Sequence, residues 1–420
     1  MSMRRSILWT SAGQFSYFMI QFAGSILIAR LLSPKEMGVY AVGLATLTLI
    51  GSIQALGLLS LIVREKEMTE ETLRTAFTIN GAINLLVALA AFGVSFAAGR
   101  FFGEPDVTRV LLLLSVTPVI GLFEFRPRAM MQRDLQFGRL AAVGVLQNLA
   151  NTATTVLLAF LGYSSMSLAW GALAGALASL AATTVLGRRH MSLRLSLSKG
   201  GDLLKFGVRM LAIAGLSAIT VRLADLICGR LLGLPALGVY SRAANLISLL
   251  WNNVYQAAGK VAFSGFAEEL RRTDSLKLVY LKTLAIMTGL LWPLFAGLAI
   301  LAGPTVHWLY GERWAGAAAP LAWLAVAAIP AVGAPMVWET FVLRDETAKQ
   351  VRVELVKSVV GLALFTVGCL FGLTWASVAR VAEAIFAFGF YRPHLARMTE
   401  ARGEDIAPVL RRGAVLTALA

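Results

Sequence analysis

Two short stretches of the chain place an arginine three residues before a carboxylate, inside runs that are otherwise apolar. VRLAD contains Arg222 and Asp225, and ARVAE contains Arg380 and Glu383. Residues three apart lie on one face of a helix, so each stretch can form an intrahelical ion pair. If these runs cross a membrane, each charge costs ~2.5–3.5 kcal/mol and normally faces a protein interior or a watery cavity. Two readings stay open: the pairs neutralise themselves, or they line a cavity that binds an anion.

A third apolar run carries basic residues without an acid of its own. It contains Arg242, Asn245, Asn252, Asn253 and Lys260. Such a lining could hold a phosphate-bearing headgroup, because arginine and lysine are the usual phosphate ligands. The alternative is that Arg242 and Lys260 extend their charges towards opposite membrane surfaces.

Four carboxylates are candidates for taking up a proton in a coupled transport cycle. They are Asp225, Glu339, Glu354 and Glu383, and the sequence does not choose among them. Amides such as Asn80 and Asn84 also fall in an apolar run. Polar residues at helical spacing join membrane helices more often than they bind ligands.

The composition requires a polytopic membrane protein. Hydrophobic residues make up 58% of the 420, charged residues only 15%, and the mean hydropathy is +0.73. A soluble domain has about a quarter charged residues. Runs of ~20 apolar residues, each long enough to cross a bilayer, predict twelve helices near 6–29, 38–62, 76–100, 108–123, 140–161, 165–187, 208–231, 237–261, 278–302, 317–341, 353–371 and 373–391. Residues 413–420 resemble the opening of a thirteenth.

The basic residues predict the orientation. With the N-terminus inside, 28 of the 38 Lys and Arg residues fall at cytoplasmic ends or loops and six fall outside. This bias follows the positive-inside rule. It also accounts for the net charge of +15, which in a soluble protein would indicate nucleic-acid binding; no nucleic-acid partner is expected here.

The chain repeats itself. ARLLSPKEMGVY, residues 29–40, returns as GRLLGLPALGVY, residues 229–240, with six of twelve positions identical and in register. LAWGALAGA (168–176) returns as LTWASVARV (373–381). The repeat predicts an all-α fold of two six-helix bundles, residues 1–200 and 201–403, followed by a cytoplasmic tail, 404–420. Because six is even, the two copies should be parallel repeats around a central cavity.

Several classes of site are not expected. The two cysteines, Cys228 and Cys369, fall in apolar runs and suit packing rather than a disulfide. With three histidines and no metal-binding motif, neither a metal nor a cofactor is expected. A membrane glycan ligase or polymerase needs acids on a sizeable outer loop, and the longest outer loop, 303–316, has one. A transporter is therefore favoured over an enzyme.

Three stretches carry a resemblance to a known family. They are SAGQFSYFMIQFAGSILIARLLSPKEMGVYAVG (11–43), REKEMTEETLRTAF (64–77) and LLGLPALGVYSRAANLI (231–247). The chain resembles polysaccharide biosynthesis proteins of the oligosaccharide flippase (Wzx) type, in the multidrug/oligosaccharidyl-lipid/polysaccharide exporter superfamily. The resemblance covers essentially the whole chain.

That resemblance implies a function. Such a protein flips an undecaprenyl-pyrophosphate-linked oligosaccharide across the bacterial inner membrane by alternating access, for exopolysaccharide, capsule or O-antigen synthesis. It implies a cationic cavity, to which Arg222, Arg242, Lys260 and Arg380 would contribute, and a polysaccharide polymerase and export machinery as partners. A peptidoglycan-precursor flippase or a multidrug exporter of the same superfamily is the alternative, followed by a glycan ligase or polymerase.

Overall fold

A computed structural model describes most of the chain. The described residues are 3–55, 58, 62, 69–188, 195–196, 219–273 and 275–419. Side chains are described from residue 16 onward, with gaps between residues 254 and 273.

These ranges fold into helices and connecting turns, without a β-strand, which confirms the all-α prediction. Two short 3₁₀ turns, Ser52–Ala55 and Glu312–Ala317, extend or precede α-helices. The α-helices are, in chain order, α1 Met3–Leu31, α2 Pro34–Gly51, α3 Glu70–Phe102, α4 Pro105–Leu114, α5 Thr117–Arg133, α6 Phe137–Phe160, α7 Met166–Leu186, α8 219–231, α9 Leu234–Thr273, α10 Lys277–Ile300, α11 Ala302–Tyr310, α12 Ala318–Val332, α13 Val337–Leu343, α14 Thr347–Leu370, α15 Leu373–Thr399 and α16 Gly403–Leu419.

The helices are those of a multi-pass membrane protein. Within the described parts of the chain, nine ranges are long and apolar enough to cross a bilayer. Two of them join helices that are separated by a break, Pro105–Arg133 and Glu312–Leu343. Part of the expected span at 208–231 lies outside the described residues, and α9 contains the expected span at 237–261.

The chain forms two compact units, Met1–Pro235 and Ala236–Ala420. The boundary expected between residues 200 and 201 lies outside the described residues. In the first unit, Ile62, Leu73, Ala76 and Ala129 form a buried apolar cluster. In the second, a larger buried cluster includes Tyr280, Phe341 and Leu395, and it joins α10, α13 and α15. Each unit therefore has a core of its own.

The repeated phrase forms a tight turn in both copies. In the first, the Ser33 hydroxyl accepts the Glu36 N–H at 3.3 Å, and the Glu36 carboxylate accepts the Ser33 N–H at 2.6 Å. This reciprocal capping fixes the start of α2. In the second copy Gly233, with φ +87°, makes the turn into α9. Gly38 is required, because a Cβ there would lie 1.8 Å from the Leu234 carbonyl oxygen.

Candidate functional site

The second unit holds a charged cluster where α9, α14 and α15 meet. Arg380 Nη1 donates to Glu383 Oε2 at 2.6 Å, and Arg380 Nε donates to the Tyr240 hydroxyl at 3.1 Å. The guanidinium carbon lies 4.3 Å from the centre of the Phe365 ring. The spacing in the sequence thus correctly predicted the ion pair. The Tyr240 side chain is buried beside Arg380, a contact that the three-residue spacing does not predict.

Glycines on α14 make room for this cluster. A Cβ at Gly361 would lie 2.5 Å from the Glu383 carboxylate, and a Cβ at Gly368 would lie 2.7 Å from the Trp375 carbonyl oxygen. The absence of side chains lets α14 and α15 approach closely, as small residues commonly do in membrane helix pairs. Gly361 also leaves the space that the Glu383 carboxylate occupies.

More charges follow along the same hairpin, away from its turn at Gly372. Glu354 accepts hydrogen bonds from Lys357 and, at 2.6 Å, from the Tyr391 hydroxyl. At the open end of the hairpin, Glu346 is bound by Arg397 and Lys349. The hydrogen bond from Arg397, helped by Lys349, lowers the pKa of the Glu346 carboxyl to about 2. Carboxylates and bases therefore alternate along one helix hairpin.

The corresponding hairpin of the first unit, α6–α7, lacks these charges. The repeat aligns Gly175 with Arg380. A Cβ at Gly175 would lie 3.0 Å from Asn151 Cβ, and a Cβ at Gly171 would lie 1.9 Å from Thr155 Oγ1. This hairpin is therefore packed through small residues and uncharged polar side chains. The charged cluster distinguishes the second repeat from the first.

The first unit carries a similar arginine–acid pair on α8. Arg222 Nη1 donates to Asp225 Oδ2 at 3.1 Å, as the three-residue spacing predicted. The Arg222 side chain is 33% exposed, against 15% for Arg380. Arg222 is therefore the more accessible of the two arginines.

Arg242 lies in an aromatic enclosure inside the second unit. It is 3% exposed. Its guanidinium carbon lies 5.2 Å from the Tyr310 ring centre and 5.5 Å from that of Trp314. Cations are favourable over aromatic faces at these distances. A role of Arg242 in substrate binding stays a prediction.

The remaining predicted residues have different surroundings. Lys260 is part of α9, but its side chain lies outside the described residues. Glu339 is half-buried in the first turn of α13. This turn follows Met336, a buried residue with φ +57°, whose N–H donates to the Tyr255 hydroxyl at 3.0 Å. Glu339 thus lies beside a break in a membrane span, where irregular backbone must be satisfied by protein or water.

The first unit contains a buried acid, Glu124, that was not among the residues predicted from the sequence. Glu124 accepts hydrogen bonds from the Ser179 hydroxyl at 2.8 Å and forms an ion pair with Arg128 at 2.9 Å. The four-residue spacing of Glu124 and Arg128 is a helix ion-pair signal that could have found it. Arg128 also donates to Ser179 and, at 3.1 Å, to Gln147. The cluster ties α5 to α6 and α7.

The part of the chain that the structure describes contains no candidate metal site and no disulfide. No three His, Cys, Asp or Glu side chains there come close enough to hold a metal ion. Cys228 and Cys369 are both buried, form no disulfide and belong to different units.

A known protein family matches most of the chain. The model of the family described as "Polysaccharide biosynthesis protein" matches residues 27–319. The chain belongs to this family.

Two proteins whose names place them in polysaccharide biosynthesis are similar in sequence. The succinoglycan biosynthesis transport protein ExoT of Rhizobium meliloti is 27% identical over 311 residues, covering 74% of this chain and 63% of ExoT. The lipopolysaccharide biosynthesis protein WzxC of Escherichia coli is 26% identical over 293 residues, covering 68% of this chain and 59% of WzxC. This polysaccharide biosynthesis protein thus aligns with about three-fifths of the length of these relatives.

Solved transporters share the fold. A lipid II flippase, MurJ, in an inward closed conformation has a TM-score of 0.80 and 12% identity, covering 98% of this chain and 92% of MurJ. An inward-facing MATE transporter of the MOP superfamily has a TM-score of 0.71 and 14% identity, covering 96% of each chain. At such identities the likeness concerns the fold alone, which this chain shares with both transporters.

Proposed function

We propose that this polysaccharide biosynthesis protein moves an oligosaccharide linked to undecaprenyl pyrophosphate across the bacterial inner membrane. The observation that carries the proposal is that two arginines within apolar helices are each bound by an acid of the same helix that can release it: Arg222 by Asp225, and Arg380 by Glu383. Family membership agrees with this substrate class.

The proposed mechanism is an exchange of partners. A pyrophosphate offers an arginine a multiply charged, bidentate acceptor, which a guanidinium binds better than a single carboxylate oxygen. When Arg222 or Arg380 turns to the substrate, the carboxylate of Asp225 or Glu383 loses its cation. An isolated carboxylate in a poorly hydrated site takes up a proton. Anion and proton then enter together, and the change in buried charge is reduced.

A proton-coupled cycle would use some of the remaining acids as well. Glu354 and Tyr391 share a hydrogen bond of 2.6 Å on the charged hairpin, and Glu339 lies beside the break before α13. These groups are proposed to pass protons or to stabilise the altered charge. Within the second unit, Arg242 and Lys260 are proposed to add positive potential to that of Arg380.

The topology follows from the basic residues. We propose that the N-terminus is cytoplasmic and that the lipid-linked substrate is loaded from the cytoplasmic leaflet. The product would then be taken by a polysaccharide polymerase and export machinery on the far side of the membrane, for exopolysaccharide, capsule or O-antigen synthesis.

Proteoliposomes test the substrate class directly. We expect the purified protein to move a fluorescent undecaprenyl-pyrophosphate tetrasaccharide between leaflets, and not to move a cationic dye. Movement of the dye alone would favour the multidrug exporter and overturn the proposal. Movement restricted to a lipid carrying the peptidoglycan disaccharide-peptide would place the chain with the peptidoglycan-precursor flippases instead.

A further inference from the structure

The first unit contains an arginine whose hydrogen-bond donors are only partly used. Arg128 on α5 donates through Nη2 to the Ser179 hydroxyl at 2.6 Å and to Gln147 Oε1 at 3.1 Å. Its Nε lies 2.9 Å from Glu124 Oε2 but forms no hydrogen bond. A guanidinium has five N–H donors. Among the described residues, the N–H of Nε and the two of Nη1 therefore find no acceptor.

Neutral groups hold this guanidinium in place. Ser179 lies on α7 and Gln147 on α6, so Arg128 is bound to two neighbouring helices. The Ser179 hydroxyl in turn donates to Glu124 Oε2 at 2.8 Å. If the Glu124 carboxylate released the arginine, the two bonds from Nη2 would remain. The guanidinium would then keep its orientation and present a positive charge with unused donors.

Glu124 is an acid whose burial is costly. Its side chain is 9% exposed, against 38% for that of Arg128. A buried carboxylate needs a well-aligned cation and further hydrogen bonds to offset its lost hydration. Here the contact with the cation is not aligned as a hydrogen bond. A phosphate group that bound Arg128 would therefore replace a poorly aligned partner, and the carboxylate left behind would take up a proton.

Other charged side chains on the surrounding helices have partners of their own. Arg126 on α5 donates to both oxygens of Glu70 on α3, at 2.8 and 3.0 Å, and Arg74 donates to the same acid at 3.2 Å. On α6, Arg139 donates to the Leu186 carbonyl at 3.3 Å. The helix α7 carries no charged residue. Among the charges of the described residues, the one that contacts Glu124 is that of Arg128.

The fold does not require an arginine at this position. The turns after α5 and α13 have the same geometry, since Leu135 and Asp345 both have φ +55°. Counting back from these two turns aligns Arg128 with Trp338. The second unit thus forms the corresponding helix junction with an uncharged, exposed side chain. Arg128 and its partners are a property of the first repeat.

We propose that Arg128 is the loading site for the pyrophosphate headgroup of the lipid-linked substrate, and that Glu124 holds the guanidinium between cycles. This inference rests on the proposed function and names the residue that the headgroup meets first. In the proposed orientation Arg133 is the cytoplasmic end of α5, and Arg128 lies ~8 Å before it. A long basic side chain at this level can extend to the headgroups of the cytoplasmic leaflet. A pyrophosphate offers several acceptor oxygens to the unused N–H groups.

Binding of undecaprenyl pyrophosphate, without a glycan, tests the site in phosphatidylcholine nanodiscs. We expect Arg128→Gln to weaken binding at least about tenfold, because a charge-assisted contact is lost. We expect Glu124→Gln to strengthen binding about threefold, because the competing negative charge is removed and the bonds from Nη2 remain. Arg139→Gln is the matched control. It removes one basic charge from the same end of the unit and should change the affinity less than about twofold.

A second lipid distinguishes two sources of the phosphate. Phosphatidylglycerol places a phosphate at the same level of the membrane, but with a single charge. We expect phosphatidylglycerol, mixed equally with phosphatidylcholine, to weaken binding of undecaprenyl pyrophosphate by less than about twofold, because a pyrophosphate offers more charge and more acceptors. Loss of binding in these mixed nanodiscs for the unaltered protein would assign Arg128 to bulk anionic lipids and overturn the proposal.

The outcomes separate this inference from the proposed function. If the unaltered protein moves the tetrasaccharide lipid in proteoliposomes, but Arg128→Gln and Glu124→Gln bind the headgroup as it does, the loading site is wrong and the proposed function stands. If both shifts in affinity are observed but no glycan-bearing lipid moves, the site stands and the proposed function fails. If Arg128→Gln does not fold, Glu124→Gln decides alone. Loss of a merely structural contact would not strengthen binding, so unchanged or weaker binding by Glu124→Gln would contradict the proposal.

Discussion

At the scale of single residues, Arg222 and Arg380 differ in how firmly they are held. Arg380 contacts Glu383, Tyr240 and the Phe365 ring, and its side chain is the less exposed of the two. Arg222 is bound by Asp225 and is one-third exposed. We therefore expect Arg380 to contribute more to stability, and Arg222 to respond more readily to a ligand.

Removing Arg380 alone should destabilise the protein strongly. Arg380→Ala leaves the Glu383 carboxylate without its cation, a change that typically costs about 3–5 kcal/mol for a buried pair. Arg380→Ala combined with Glu383→Gln should recover part of the loss, because no charge is then left behind. Thermal unfolding in detergent measures both. Arg109→Ala, which disrupts an exposed pair with Asp106, is the control and should cost less than about 1 kcal/mol. Equal losses for Arg380→Ala and Arg109→Ala would contradict this account.

The Glu346 carboxyl should make the stability of the folded protein depend on pH in the acid range. Its pKa is lowered from 4.5 to about 2, chiefly by the hydrogen bond from Arg397. A carboxylate with a lowered pKa in the folded state stabilises the fold above its unfolded pKa and loses that effect as the pH falls. The melting temperature of the unaltered protein should therefore exceed that of Glu346→Gln at pH 6. The difference should shrink as the pH falls from about 4.5 towards about 2. A difference that grows over this range would show that the carboxylate is not stabilised by its basic neighbours.

Some contacts of these arginines could be predicted from the sequence, and others could not. Both Arg–acid pairs could be predicted, because residues three apart on a helix meet whatever the tertiary fold. The Tyr240 contact could not, since 140 positions separate it from Arg380 and only helix packing brings them together.

At the scale of helices, the α14–α15 hairpin depends on close approach. A Cβ at Gly368 would lie 2.7 Å from the Trp375 carbonyl oxygen and 2.8 Å from Ala376 Cα, both backbone atoms that cannot turn aside. We expect Gly368→Ala to force the helices apart and to destabilise the protein by about 1–3 kcal/mol.

The same hairpin offers a matched control. Gly389 lies on α15 with no atom within 4 Å of an added Cβ. Gly389→Ala should be neutral or stabilise by up to about 1 kcal/mol, through the higher helix propensity of alanine. Thermal unfolding of the two variants side by side tests the prediction. Equal effects would mean that close packing at Gly368 does not hold the hairpin.

Helices were predictable from the hydropathy of the sequence, but the breaks inside them do not show in hydropathy alone. Apolar runs identified α14 and α15 well, because membrane spans differ sharply from loops in composition. The break before Val337 and the one after Gly51 lie inside apolar runs. A hydropathy value averaged over a window of ~20 residues does not reveal a break of a few residues. They depend on local hydrogen bonds, such as that from the Met336 N–H to Tyr255, which a hydropathy pattern does not contain.

At the scale of the whole molecule, the fold was predicted mainly from the internal repeat. Two copies of one phrase, 200 residues apart, predicted a transporter with parallel repeats, and the chain shares its fold with solved transporters. The arrangement of functional groups could not be predicted in the same way. The repeats have diverged where Gly175 aligns with Arg380, and each hairpin packs differently around that position.

The proposed orientation can be checked with single cysteines. With a cytoplasmic N-terminus, the turn at Gln136 faces the cytoplasm and the turn at Tyr163 faces outward. We expect an impermeant thiol reagent to label Tyr163→Cys in intact cells, and to label Gln136→Cys only after the membrane is opened. Labelling with the opposite pattern would reverse the topology and the proposed direction of loading.

The most direct test of the central claim is transbilayer movement of the tetrasaccharide-pyrophosphate lipid in proteoliposomes, for the unaltered protein and for variants at the two arginines. We predict that Arg222→Ala and Arg380→Ala lower the rate at least about tenfold, a change worth about 1.4 kcal/mol in activation free energy, in samples shown to be folded. Arg109→Ala should keep the full rate. Unchanged movement in both arginine variants would contradict the claim that these side chains bind the pyrophosphate.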